Sequence, residues 1–317
     1  MAETRVIAVV GATGAQGGGL VRAILAEPGA GFTVRAITRD VHSAAAQKLA
    51  AAGAEVVAAD IDDEASLTAA LRGAYGAFFV TFFWAHFSPQ KEKDEARIMA
   101  SAARAAHVKH VIWSTLEDTR DSIPLSDDRM PTLMGEYKVP HFDAKGESDA
   151  QFTAAGVPTT FLRTSFYWDN LIYFGMGPKR EADGRLGFTL PMGDRKLPGI
   201  AAEDIGRCAF GIFKAGDRYI GKYVGIAGEH LSGAEMAAGL SAALGEPVHH
   251  NAISPATFRS YGFPGADDLG NMFQYNHDFA DDFQRQRSVE TSRALNPALQ
   301  TFGAWLEANV SSIPLGS

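Results

Sequence analysis

Short apolar runs alternate with segments whose apolar residues fall at helical spacing through the first half of the chain. Val6–Val10, Thr33–Thr38, Glu55–Ala59, Gly76–Thr81, Val111–Thr115 and Val157–Thr164 read as six strands. Between them lie candidate helices from Leu20 to Leu25, Ala44 to Ala52, around Leu67–Leu71, and Gln90 to Ala106, with a further one carrying His141 to Glu147. Strands that are apolar on both faces and are joined by amphipathic helices predict a parallel sheet covered on both sides. The expected fold is therefore α/β, a Rossmann-type doubly wound parallel sheet. After about residue 165 the alternation gives way to a Pro/Gly-rich region from Gly175 to Gly199 and then to amphipathic helices. This predicts a nucleotide domain over 1–165 and a smaller C-terminal α+β lobe over 166–317, with interleaving of the two left open. A polar connection from Leu116 to about Val139 lacks helical periodicity and reads as a mobile lid.

Composition narrows the class. The chain has 317 residues, 46% of them hydrophobic, enough for a full core. Lys+Arg 29 against Asp+Glu 37 gives a net charge of −8, and no basic cluster stands out, which argues against direct binding of nucleic acid. No apolar run reaches the roughly 18 residues of a membrane span, and the first strand begins within a few residues of Met1, so a soluble, cytoplasmic protein is expected. The single cysteine, Cys208, sits beside Ala209 and Phe210 and reads as a small buried hydrophobe.

The chemistry concentrates where strands end. Gly11-Ala12-Thr13-Gly14-Ala15-Gln16-Gly17 joins the first strand to the first helix. Glycines in such a turn let the backbone approach a pyrophosphate, and the helix N-terminus offers N–H groups and partial positive charge. A dinucleotide seat follows. The second strand ends in Thr38-Arg39, where an arginine accepts the 2′-phosphate of NADP(H) and an acid would hold the 2′-hydroxyl of NAD. Asp40 is read as the cap of the next helix, with a ribose hydroxyl as its alternative partner. Thr81 ends the fourth strand on the nicotinamide side, and Phe82, Phe83, Trp84, His86 and Phe87 follow it, as the wall of a cleft for an aromatic substrate or as a cover for the sheet edge.

The spacing of Gly11, Gly14 and Gly17 resembles that of extended and atypical short-chain dehydrogenase/reductases. That likeness implies an acid-plus-apolar pair at the adenine, matched by Asp60-Ile61 unless these residues only cap a helix, and a substrate-polarising serine at the end of the fifth strand, matched by Ser114. It also implies a Tyr-x-x-x-Lys pair on one helix face, the lysine holding the nicotinamide ribose and the tyrosine relaying a proton. Here Lys145 is present and His141 stands in the tyrosine's place. Tyr137, eight residues before Lys145, is the reserve proton donor if the helix begins that early. His277, Asp278, Asp281 and Asp282 lack metal-ligand spacing, and no metal site is expected.

The glycine turn, Thr38-Arg39, His141-Phe142-Asp143-Ala144-Lys145-Gly146-Glu147, Phe166-Tyr167-Trp168-Asp169-Asn170 and Gly262 to Met272 together resemble the NmrA-like atypical short-chain reductases, and within them the HSCARG-like redox-sensor branch. The resemblance covers nearly the whole chain. It implies NADP(H) bound by Gly11 to Gln16, Arg39, Asp60, Ile61, Thr81, Lys145 and Tyr167, Trp168, Asp169 and Asn170. Phe82 replaces the polar residue expected after Thr81, and Lys93 and Asp94 straddle the place of an expected helix lysine. Two functions are implied: a sensor of the NADPH/NADP⁺ state that engages a regulatory protein partner, and an NADPH-dependent reductase of a small aromatic or carbonyl compound. The resemblance favours the sensor and leaves the protein a monomer or homodimer.

Overall fold

The computed structural model describes residues 4–316, and the chain divides into two compact units. The first gathers the chain up to Asp118, His141–Thr164 and Glu203–Val224, and the second takes Thr119–Pro140, Ser165–Ala202 and the chain from Gly225 onward. The chain passes between the two units after Thr164 and at four other points, so each unit is assembled from separate stretches of the sequence.

The first unit runs β1 (Arg5–Val10), α1 (Ala15–Ala26), β2 (Phe32–Thr38), α2 (Ala44–Ala51), β3 (Glu55–Ala58), α3 (Glu64–Leu71), β4 (Gly76–Phe79), α4 (Pro89–Ala105), β5 (His110–Thr115), α5 (Pro140–Ala155) and β6 (Thr159–Arg163). These strands form one sheet in the order β6-β5-β4-β1-β2-β3, with Tyr223–Gly225 added beside β6. Every pair from β3 to β6 is parallel. The chain winds outward from β1 to β3 and then returns to β4, so strand order reverses between β1 and β4. A ligand crevice forms at such a reversal, outside the carboxyl ends of the strands.

Period-2 alternation sends Ala8, Val10, Ala77, Phe79, Val111 and Trp113 to one face, where they bury against Leu67 and Leu71 of α3, Met99 and Ala103 of α4, and Phe152 of α5. A second close contact explains why Glu203–Val224 belongs here. A Cβ on Gly206 would lie 2.0 Å from Leu20 N, and one on Gly19 would lie 2.8 Å from Glu203 O. Two glycines thus let helix Ala202–Lys214 meet α1 backbone to backbone, and the Arg22–Glu203 ion pair closes the contact. Cys208 on that helix is buried, and burial pushes its thiol well above the usual range.

The second unit holds two three-stranded sheets, one of Glu229–Ser232, Lys196–Ile200 and Phe166–Tyr167, the other of Val248–Asn251, Leu186–Thr189 and Lys179–Arg180. The connection read as a lid is bound down by side chains. Asn271 Nδ2 donates to Pro131 O at 2.8 Å and to Lys138 O at 2.6 Å, and Gln274 Nε2 donates to Arg129 O at 2.7 Å. Lys138 Nζ adds bonds to Asp127 O at 2.7 Å and Met130 O at 2.8 Å. Among the described residues no helix is long and apolar enough to cross a membrane.

Candidate functional site

The glycine turn is a cradle that no larger residue could form. Gly11 has φ +69° and a Cβ there would lie 2.9 Å from Val80 Cγ1, while a Cβ on Gly17 would lie 2.4 Å from Gly11 O. Gly14 occupies the N-cap of α1 with no side chain to cover the helix end, so the first N–H groups of α1 remain to meet an anion. Gln16 is buried and accepts a hydrogen bond from Ser114 Oγ at 2.8 Å. Ser114 is itself buried, and through Gln16 it braces the turn against β5.

At the tip of β2 the Arg39 side chain is exposed and meets no acceptor among the described residues. Thr38 Oγ1 donates to Asp40 O at 3.5 Å, and Asp40 Oδ1 accepts from His42 N at 2.8 Å. The cap of α2 is Ser43, which accepts from Ala46 N, so Asp40 closes the preceding turn and does not cap the helix as expected. Asp60 does similar work: its Oδ1 accepts from Asp62 N at 3.1 Å, while Asp63 caps α3. Ile61 packs half-buried against the core under β3. Neither acid at these two strand ends competes for Arg39.

Thr81 and Lys145, sixty-four residues apart, meet just beyond β4. Lys145 Nζ donates to Thr81 Oγ1, lies 3.4 Å from Thr81 O, and pairs with Glu92 Oε1 at 2.7 Å. Thr81 Oγ1 in turn donates to Glu92 Oε1. The Glu92 side chain is fully buried. Burial alone would push its carboxyl up, but the Lys145 charge and the donor groups of His86, Lys145 and Thr81 outweigh it and hold the group at about 2. Its second oxygen faces His86 Nε2 at 3.4 Å. Glu95, one turn on, is pushed the other way by burial and by the charge of Glu92.

His86, Glu92 and Glu95 bring ligand atoms within 4.8 Å of one another. Metal chemistry does not suit them. Ser88 N donates to His86 Nδ1 at 3.0 Å, which leaves the proton of the neutral ring on Nε2, the atom that faces Glu92. Lys145 and Lys91 already sit against the two carboxylates.

The aromatic loop after Thr81 packs against the start of α5. His141, buried in the first turn of α5, has its ring 4.7 Å from that of Trp84 and 6.0 Å from that of Phe83. Phe87, at φ +52°, lies 5.6 Å from Trp84, and Phe82 and Phe87 are exposed at the rim. On the far side of Lys145, its Nζ lies 5.2 Å from the centre of the Trp113 ring. The Trp113 indole donates to Asp149 Oδ1 at 2.9 Å, and Thr115 Oγ1 donates to the same atom at 2.6 Å. Burial drives the Asp149 carboxyl up to about 6 despite these bonds and one from Tyr223.

The other expected site residues are placed differently. Helix α5 starts at Pro140, so Tyr137 is not on the Lys145 face; it belongs to the second unit, buried under the Arg120 guanidinium at 5.1 Å. Trp168 is a core residue of that unit, 5.4 Å from Phe302, with Gly199 pressed so close that a Cβ there would lie 2.3 Å from its Nε1. Asp169 Oδ2 accepts from Ala202 N at 2.8 Å, Asn170 opens the short helix Asn170–Tyr173, and Tyr167 is half-buried in its strand. Lys93 pairs with Glu147 at 3.0 Å. The residue that sequence reasoning missed is Glu92. Its signal was its phase, since Glu92 and Glu95 fall on the same stripe of α4 as the buried Ala96, Met99 and Ala103.

Comparison with known proteins follows the same lines. A sequence profile described as the NmrA-like family matches residues 3–306. The NmrA-like family domain-containing oxidoreductase FrzB of a Cladobotryum species is 30% identical over 289 residues, covering 86% of this chain and 84% of that protein. The NAD(P)H azoreductase of Xenophilus azovorans is 32% identical over 248 residues, covering 78% of this chain and 77% of that protein. The crystal structure of NmrA, a negative transcriptional regulator, in complex with NADP aligns with TM-score 0.74 at 23% identity, covering 96% of this chain and 95% of that one, a likeness of fold. The chain is a member of the NmrA-like family.

Proposed function

We propose that this protein binds NADP(H) and reduces a flat aromatic or carbonyl compound. The observation that carries this reading is the Lys145 ammonium, ion-paired with buried Glu92 just beyond β4, one helical turn along α5 from His141, which packs against Trp84. Gly11, Ala12, Thr13, Gly14, Ala15, Gln16 and Gly17 would hold the pyrophosphate, and Thr38 and Arg39 the 2′-phosphate. Thr81, Phe82 and Lys145 would lie along the nicotinamide side. The cofactor, when bound, supplies a hydride. Lys145 orients the ribose, and the rings of Phe82, Trp84 and Phe87 stack a planar substrate and exclude water. His141, in the place of the tyrosine and against Trp84, is the candidate donor of the proton that completes the reduction. The 32% identity to an NAD(P)H azoreductase supports this choice of substrate class.

The sensor reading rests on a different observation, that His141 carries no hydroxyl to match the tyrosine and lies buried among rings. The two part in one experiment. Purified protein is titrated calorimetrically with NADPH and NADP⁺, and NADPH oxidation is then followed with an azo dye and a quinone. Binding followed by dye-dependent oxidation that Lys145→Ala abolishes supports the reductase. Tight binding with no oxidation for any acceptor supports the sensor and removes the reductase reading.

A further inference from the structure

We propose that Glu92 is the positioning residue for Lys145, holding its ammonium in place so that the nicotinamide ribose meets a donor already aimed. This rests on the reading above that Lys145 takes that ribose. An ammonium has three N–H donors and no acceptor. Thr81 Oγ1, Thr81 O at 3.4 Å and Glu92 Oε1 at 2.7 Å account for all three. A ribose hydroxyl must therefore displace one of them. The Thr81 carbonyl is the long contact, and the Thr81 hydroxyl already donates its own proton to Glu92, so the Thr81 pair is the one that yields. The charged contact stays, because breaking it would strand a buried carboxylate.

Glu92 is itself immobilised. Its side chain is fully buried on α4 with the Thr81 hydroxyl on one oxygen, while the other faces His86 Nε2, whose proton is fixed there by the Ser88 N–H on Nδ1. The carboxylate is thereby held from the end of β4 by the Thr81 hydroxyl, while its second oxygen lies 3.4 Å from His86 Nε2 without a hydrogen bond between them. The group that sets where Lys145 can reach lies on α4, fifty-three positions earlier in the chain, and is no part of the Tyr-x-x-x-Lys frame.

The test is a double-mutant cycle on NADP⁺ affinity, measured calorimetrically on the full-length protein for wild type, Glu92→Gln, Lys145→Met and the double variant. Glu92→Gln weakens NADP⁺ about tenfold, and the double variant is no weaker than Lys145→Met alone, because a positioning residue acts only through the group it positions. Losses that add in the double variant overturn the proposal, as does an unchanged Kd in Glu92→Gln. Should Glu92→Gln fail to fold, Glu92→Asp carries the test: the shorter arm keeps the charge but draws Lys145 back. It then weakens NADP⁺ roughly threefold or more, whereas wild-type affinity overturns the idea. Where dye reduction is measurable, Glu92→Gln lowers kcat about tenfold or more with the dye KM nearly unchanged, and Glu92→Asp restores part of kcat. A Glu92→Gln variant with wild-type kcat also overturns it. The binding cycle needs no turnover, so a protein that binds NADP⁺ and reduces nothing removes the reductase reading alone.

Discussion

At the tip of β2 the Arg39 guanidinium is exposed and unpartnered among the described residues, whereas the Lys145 ammonium beyond β4 is ion-paired, hydrogen-bonded and set over an indole. Both are cations assigned to one dinucleotide, yet they are kept in opposite ways. A charge in water needs no partner, so Arg39 can wait for the 2′-phosphate at little cost to folding. A charge taken out of water must be neutralised before any ligand arrives, and Lys145 is neutralised by the buried Glu92 carboxylate. On the proposed reading, the exposed end supplies affinity and cofactor choice. On the same reading, the buried end supplies orientation.

Substitutions at the two ends and around them test that contrast. The largest effect is expected at the buried end: Lys145→Met leaves Glu92 without its counter-charge and lowers unfolding free energy by about 3–5 kcal/mol, read by denaturant melts. Much of that loss returns in Lys145→Met/Glu92→Gln, where both charges are gone. Next is Asp149, whose folded-state carboxyl at about 6 lies above the ordinary value of 3.8. A raised carboxyl stabilises the fold fully below about pH 3.8, and that contribution is lost as pH rises through about 6. Between those limits the wild type loses on the order of 3 kcal/mol relative to Asp149→Asn, which shows no such slope.

At the open end the effects move from stability to binding. Gly17→Ala forces a Cβ against the Gly11 carbonyl and costs about 1–3 kcal/mol by overpacking, with NADPH affinity lost alongside it. The smallest stability effect belongs to Arg39→Ala, within about 0.5 kcal/mol of wild type in a melt. Its NADPH affinity nevertheless falls by roughly 1.5–3 kcal/mol while NADH affinity barely changes. If Arg39→Ala weakened both cofactors equally, the 2′-phosphate assignment would be wrong.

What the sequence made legible follows the range of the forces involved. The strands of the parallel sheet, the glycine turn and the Lys145 helix are written in local patterns, apolar runs and residue spacing, and these were readable. Helix Ala202–Lys214 was readable as a helix but not as part of the first unit, because its place depends on Gly206 fitting Gly19 across a long separation. Trp168 lies in a motif that suggested cofactor contact, and only the packing of Phe302 and Gly199 around it identifies it as core. Tyr137 failed for a local reason that Pro140 could have signalled, since proline commonly opens a helix and the chain before it is not helical. Glu92 was hidden because an acid on an apolar stripe has meaning only once its partner is known.

The interleaving of the two units has a consequence for anyone handling the gene. The chain passes from one unit to the other after Asp118, Pro140, Thr164, Ala202 and Val224. A stop codon at residue 165 would therefore release no free-standing nucleotide domain. It would strip the sheet of its Tyr223–Gly225 edge and α1 of the helix that covers it. Natural recombination meets the same barrier, because no single crossover can exchange one unit while leaving the other whole.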